Sequence, residues 1–146
     1  MKTEVEEFVK SKRFAVVGVS RDPKKFGNTI YKELKSRGYE VYGVHPSAQE
    51  IAGEKCYPGL SALRGRVDAA VLCTKPGNVE SVLRDAAEAG VRNVWLQQGA
   101  ESRSAVETGK SLGMNIVAGK CILMYAEPVH SFHAFHRFFV KLFGRY

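Results

Sequence analysis

Along the chain, short unbroken apolar runs alternate with apolar residues at helical spacing, and this alternation predicts strands separated by single helices. The run from Phe14 to Val19 reads as a buried strand. It breaks into the polar, basic stretch 20–26, after which Gly27 and Asn28 open an amphipathic helix reaching about Arg37, with Ile30, Tyr31 and Leu34 inward and Gly38 as its stop. A second strand is predicted over 40–44, and a short leading helix over 3–11 from Val5, Phe8 and Val9 on one face. The stretch 46–66 is interrupted by Gly53, Pro58, Gly59 and Gly65, so irregular chain is expected there, with a short strand near 55–57 and a helical turn at 60–63. Asp68 to Cys73 is again unbroken and suits a central parallel strand. Pro76 then starts a helix carrying Val79, Val82, Leu83 and Ala86 and ended by Gly90. A strand at 93–96, a helix at 101–112 closed by Gly113, and a short strand at 115–117 complete the pattern.

Strands joined by single helices require right-handed crossovers and hence a parallel sheet. The expected fold is α/β: one doubly wound, Rossmann-like, mostly parallel sheet with helices on both faces, in a single domain. Its core spans about 12–121, and an aromatic, histidine-rich helix follows at about 127–143. The 146 residues, 45% apolar and 25% charged, are enough for one core. No apolar run approaches the ~18 residues of a membrane span, and the first dozen residues lack a secretory apolar segment. Three cysteines, Cys56, Cys73 and Cys121, with no C-x-x-C spacing, suggest neither a disulfide framework nor zinc, so a cytoplasmic, reducing location is expected. The net charge of +7 is spread without a basic stripe interleaved with aromatics, which argues against nucleic acid. Its local cluster, Arg21, Lys24 and Lys25, would suit a small polyphosphate.

Doubly wound sheets bind ligands outside the carboxyl ends of their strands. That rule selects Gly18, Val19, Ser20, Arg21, Lys25, Phe26, Gly27 and Asn28 after the first strand, and His45 and Pro46 after the second. Thr74, Lys75 and Pro76 follow the next long strand, Gln97 and Gly99 the one after, and Cys121 the last. Each has a plainer reading as well. Gly18 permits a tight turn, Pro46 forms one, Pro76 starts a helix, Arg21 and Lys25 face solvent, and Cys121 is a small buried residue. The unit has no G-x-G-x-x-G, and its second strand ends in Val44-His45-Pro46 where an NAD site would place an acid on the ribose. It reads as a nucleotide site other than an ordinary NAD site.

The segments Ala15-Val16-Val17-Gly18-Val19-Ser20, Phe26-Gly27-Asn28, Tyr42-Gly43-Val44-His45-Pro46, Asp68-Ala69-Ala70-Val71, Val94-Trp95-Leu96-Gln97-Gln98-Gly99-Ala100 and Gly119-Lys120-Cys121 together resemble the small stand-alone CoA-binding proteins. Their domain is similar to the nucleotide-binding domain of succinyl-CoA synthetase alpha subunits. The resemblance covers about Lys12 to Cys121, and departs from the family where His45 replaces a frequent Asn and Gln98 a frequent Pro. It implies coenzyme A, or an acyl-CoA, as cofactor. The diphosphate would meet the N–H groups of Gly18 to Ser20 and the start of the helix at Gly27-Asn28, and the ribose 3′-phosphate Arg21 and Lys25. His45-Pro46 and Thr74-Lys75-Pro76 would flank the adenine and ribose. An acid at Gly27 is then expected to repel the phosphate and leave the fold largely intact.

No Ser/His/Asp order, G-x-S-x-G or paired carboxylates accompany these loops, so the expected role is a non-catalytic CoA-binding, regulatory or carrier protein. Two alternatives stand beside it: a nucleotide-dependent enzyme (an NADP oxidoreductase or an acyl-CoA enzyme using Cys121 or a histidine), and an interaction protein docking through its carboxyl-terminal helix. In that helix Phe132, Phe135, Phe139 and Leu142 share a stripe suited to a homodimer contact. His130, His133 and His136 spread over about 120° of a 3.6-residue turn, poorly placed for one metal.

Overall fold

The computed structural model describes residues 3–22, 24–51, 53–97 and 99–126. Helix α1 (Glu4–Val9) leads into β1 (Arg13–Val17), α2 (Phe26–Ser36) and β2 (Glu40–Val44). A small hairpin, β3 (Glu50–Ile51) and β4 (Glu54–Tyr57), and a 3₁₀ turn (Leu60–Leu63) come next. Then follow β5 (Ala69–Leu72), α3 (Pro76–Glu88), β6 (Asn93–Leu96), α4 (Arg103–Ser111), β7 (Asn115–Ala118) and a second 3₁₀ turn (Ile122–Met124). The helix expected at about 127–143, with its phenylalanine stripe and His130, His133 and His136, lies outside the described residues.

The strands form one sheet in the order β3-β4-β2-β1-β5-β6-β7. All neighbours are parallel except β3 and β4, which pair antiparallel at the edge. Leaving aside β3, the parallel strands taken in chain order lie 3-2-1-4-5-6, the doubly wound arrangement in which the winding reverses beside the first strand. β1 is therefore central: Ala15 pairs with Tyr42 on one side and with Ala70 on the other.

Alternation along the central strands sends side chains into two apolar layers, as the pleat demands. Ala70 and Leu72 join Leu83, Val94, Leu96 and Ile116 beneath α3 and α4. Ala69 and Val71 join Phe8, Phe14, Ile30, Leu34, Trp95 and Ile122 beneath α1, α2 and the last 3₁₀ turn. In that second layer Phe8 stacks on Phe14 with ring centres 5.5 Å apart and meets Trp95 edge-on at 5.1 Å. Each such fully buried large side chain contributes roughly 1.5–3 kcal/mol. The Trp95 indole N–H donates to the Lys120 carbonyl at 2.9 Å, which draws the segment after β7 across the end of β6.

Two details differ from the sequence reading. β1 stops at Val17 rather than Val19, because Gly18 takes φ +109° and turns the chain out of the sheet. The edge strand β3 went unforeseen: two residues carry no periodicity of their own and are strands only through β4.

Candidate functional site

β1 and β5 are neighbours whose connections depart in opposite directions, so a crevice opens beyond their carboxyl ends. The turn after β1 is built on two close approaches. A Cβ at Gly18 would stand 2.8 Å from the Cys73 carbonyl oxygen, and one at Gly27 2.4 Å from the Gly18 oxygen. Both are closer than real Cβ atoms come, so the first turn of α2 presses on the β1 turn, which presses in turn on the end of β5. Here the expectation for Gly27 needs correcting: any side chain at this position strains the fold as well as the ligand site.

Asn28, 3% exposed, locks the same turn. Its Oδ1 accepts the Ser20 N–H at 2.7 Å and its Nδ2 donates to the Ser20 carbonyl at 2.7 Å. Ser20 Oγ accepts from the Asp22 N–H, and the Asp22 carboxylate from the Lys24 N–H. The Gly18 N–H donates to the Val44 carbonyl. Of the turn's three expected phosphate donors, Gly18 and Ser20 are thus already engaged, and Asn28 is a brace for the loop. The donors left to an anion are the Val19 N–H and, at the start of α2, the Phe26 and Gly27 N–H groups, since the Asn28 N–H donates to the Lys25 carbonyl.

Those helix groups have no side-chain cap. Lys25 occupies the N-cap of α2 and Lys75 that of α3, neither makes a capping hydrogen bond, and neither first turn carries an acid. Pro76 is the first residue of α3. An anion at either end would meet orphan N–H groups and the positive end of a helix dipole.

Arg21 reaches across to the loop after β2, where its Nη2 donates to Ser47 Oγ at 3.4 Å. His45 Nδ1 accepts the N–H groups of Ser47 and Ala48 at 3.0 and 2.9 Å, so its ring holds the 45–48 turn and the Nδ1 bears no proton. Beyond it lies an open pocket of about 560 Å³ lined by Pro46, Ser47, Ala48, Gln49, Glu50, Lys55, Cys56 and Pro58. This pocket lies on the β2–β4 side of the sheet and not between β1 and β5; Arg21 links the two. Lys25 is exposed, and Phe26 is half exposed at the start of α2.

On the other side of the switch point, Thr74 Oγ1 and Gln97 Nε2 are buried without a hydrogen-bond partner among the described residues. Gln97 is 1% exposed; its backbone N–H donates to the Leu72 carbonyl, and its Oε1 accepts the Ile122 N–H at 3.0 Å. Gln97 thereby fastens the segment carrying Cys121 to the ends of β5 and β6. Gly99 is exposed, with its N–H held by the Glu101 carboxylate at 2.9 Å and no neighbour within 4 Å of where a Cβ would stand. Sequence reasoning missed Ser47, Lys55 and Cys73. The signal for Cys73 was available, since it directly follows the most apolar strand and so must end at the switch point. Burial first, and the neighbouring Cys121 second, push the Cys73 thiol up to about 12.

Residues 12–127 match the family described as CoA binding domain. The chain is 30% identical over 129 residues to the alpha subunit of ADP-forming acetate–CoA ligase II from Pyrococcus furiosus, covering 81% of this chain and 28% of that subunit. It therefore spans little more than a quarter of that relative. It is 29% identical over 122 residues to YneT of Bacillus subtilis, covering 83% of this chain and 90% of the other. A solved structure of a hypothetical protein from Pyrococcus horikoshii superposes with a TM-score of 0.76 at 31% identity, over 83% of this chain and 87% of that one. With its doubly wound sheet, uncapped helix ends and a match over most of its length, the chain belongs to the CoA binding domain family.

Proposed function

We propose that the protein binds CoA or an acyl-CoA at the carboxyl ends of its parallel strands and acts as a carrier or regulatory protein without turnover of its own. The observation that carries the reading is the start of α2, which no side chain caps and which the close approach of Gly27 to Gly18 holds against the turn after β1. The residues fit the group: the Val19 N–H and the first turn of α2 receive the diphosphate, while Arg21 and Lys25 answer the ribose 3′-phosphate. The loop from His45 past Pro46 borders the nucleoside, and Thr74, Lys75 and Pro76 close the opposite side. Thr74 Oγ1 and Gln97 Nε2 are free to bond the amides of the pantetheine arm, which reaches toward Cys121. CoA supplies a thiol that carries acyl groups. Asn28, His45 and Gln97 each hold backbone in place, which favours binding over proton transfer.

Titration calorimetry with CoA, dephospho-CoA and NADP tests this. CoA should bind tightest, and dephospho-CoA should lose roughly 1.5–3 kcal/mol, about 10- to 150-fold in Kd. Equal affinity for CoA and dephospho-CoA would remove the role given to Arg21 and Lys25. Tighter binding of NADP than of CoA would overturn the ligand assignment.

A further inference from the structure

Cys73 and Cys121 come from distant parts of the chain, yet the fold brings them together. Cys73 follows β5, and its side chain falls on the α1–α2 face of the sheet, in the apolar layer that also takes Ile122. Gln97 stands beside it at the end of β6, with its N–H on the Leu72 carbonyl and strands about 4.8 Å apart. Gln97 Oε1 holds the Ile122 N–H, and the Trp95 indole holds the Lys120 carbonyl, so Cys121 is pinned from both sides over the ends of β5 and β6. Both thiols are free and partly buried, whereas Cys56 lies across the sheet beyond β2. Burial first, and Cys121 second, push the Cys73 thiol up to about 12, so Cys73 is held as the thiol.

We propose that Cys73 and Cys121 are a dithiol–disulfide couple at the mouth of the crevice, oxidised by small organic disulfides. Cys121 is the attacking thiol and Cys73 the resolving one. The Cys121 thiolate attacks a disulfide RSSR, forming a Cys121–SR bond and releasing RS⁻, which takes up a proton. Cys73 then gives up its proton and attacks Cys121 Sγ, forming the Cys73–Cys121 bond and releasing the second RS⁻. In sum, the protein dithiol and RSSR become the protein disulfide and two RSH. The couple stands on the chain's own geometry; only its preference among disulfides rests on the proposed CoA site. Its closure would join the ends of β5 and the β7 extension directly across the path of the pantetheine arm.

The thiolate is the nucleophile, so the resolving step should accelerate about tenfold per pH unit between pH 7 and 10, while the mixed disulfide accumulates near neutrality. Reduced full-length protein is treated with oxidised glutathione across that range, quenched in acid, and read by intact mass and non-reducing peptide mapping. The expected product is a Cys73–Cys121 cross-link, formed through a glutathione adduct on Cys121. Cys73→Ser should stop at the adduct, and Cys121→Ser should leave Cys73 unmodified. A wild-type adduct that persists unresolved at pH 10, or a cross-link that recruits Cys56, overturns the couple. CoA disulfide is the second probe. Faster reaction than oxidised glutathione supports a couple served by the CoA site; equal rates, with the cross-link intact, leave the couple standing and count against that site.

Discussion

Among the described residues, the four α-helices divide into two pairs by how they begin. α1 and α4 start with conventional caps: Thr3 Oγ1 accepts the Glu6 N–H and Ser102 Oγ accepts the Ala105 N–H, each at about 3 Å. α2 and α3 start with Lys25 and Lys75, which cap nothing. The uncapped pair follows β1 and β5, the two strands that flank the switch point. A Ser or Asp cap is worth ~1 kcal/mol, and the fold forgoes it only where the chain turns toward the crevice. A helix end left open and flanked by lysine is a poor structural choice and a good anion receiver, and the contrast separates stability from binding in one molecule.

The sharpest way to break the contrast is at Gly27. Gly27→Ala introduces the Cβ that meets Gly18 and should cost roughly 1–3 kcal/mol in chemical denaturation. Gly27→Asp should cost about the same in stability and in addition abolish CoA binding in calorimetry. If alanine alone abolishes binding, shape and not charge governs that end of the crevice. Asn28→Ala comes next. It strips both hydrogen bonds from the Ser20 peptide, should cost about 1–3 kcal/mol, and should weaken CoA through a loosened turn while leaving the helix content seen by circular dichroism.

Paired cap exchanges sharpen the comparison with smaller effects. Ser102→Ala on α4 should lose ~1 kcal/mol of stability with unchanged CoA affinity. Lys75→Ser on α3 should move the other way, gaining about 0.5–1 kcal/mol in the same denaturation experiment while weakening CoA a few-fold. An unchanged CoA affinity in Lys75→Ser would confine the anion site to α2.

The smallest effect lies at the far end of the same two strands. Arg13 and Asp68 meet at 2.6 Å, and the guanidinium hydrogen bond holds the Asp68 carboxyl below its ordinary value. A lowered folded-state value means the pair stabilises above the ordinary carboxylate range and is lost as pH falls through that lowered value. Both side chains are about two-fifths exposed, so solvent screening keeps Asp68→Asn below ~1 kcal/mol at neutral pH. The difference from wild type should shrink steadily as pH falls below the ordinary carboxylate range, read as urea midpoints.

What could be read from the sequence follows from how local each signal is. The strands at 40–44 and 93–96 and the turn at 60–63 lie where the apolar pattern places them, because runs and glycine stops report local structure. The crevice loops were found by a rule about strand ends that needs no side-chain geometry. What that rule could not reveal was which groups are already engaged. Asn28, expected at the ligand, also braces the turn, and that role is invisible in sequence because its partner Ser20 lies eight residues back across a turn whose shape two glycines set. Likewise, the Cys73–Cys121 neighbourhood depends on where the chain goes after β7, and Gln97 decides that through a hydrogen bond no spacing encodes.

Arg37 closes the other end of α2. Its Nη1 donates to the carbonyls of Leu123 and Ala126 at 2.9 and 2.7 Å, with its Nε on Glu33. In mechanical terms this clasp makes α2 a strut: a load applied to the chain beyond Ala126 enters at the far end of that helix, roughly 15 Å from the Gly27 junction at 1.5 Å per residue. Pulling from just after Ala126 would load the Arg37 clasp first and, behind it, the bonds of Gln97 to Ile122 and Trp95 to Lys120, so force spectroscopy from that end should report the grip of Arg37 before it reports the strands.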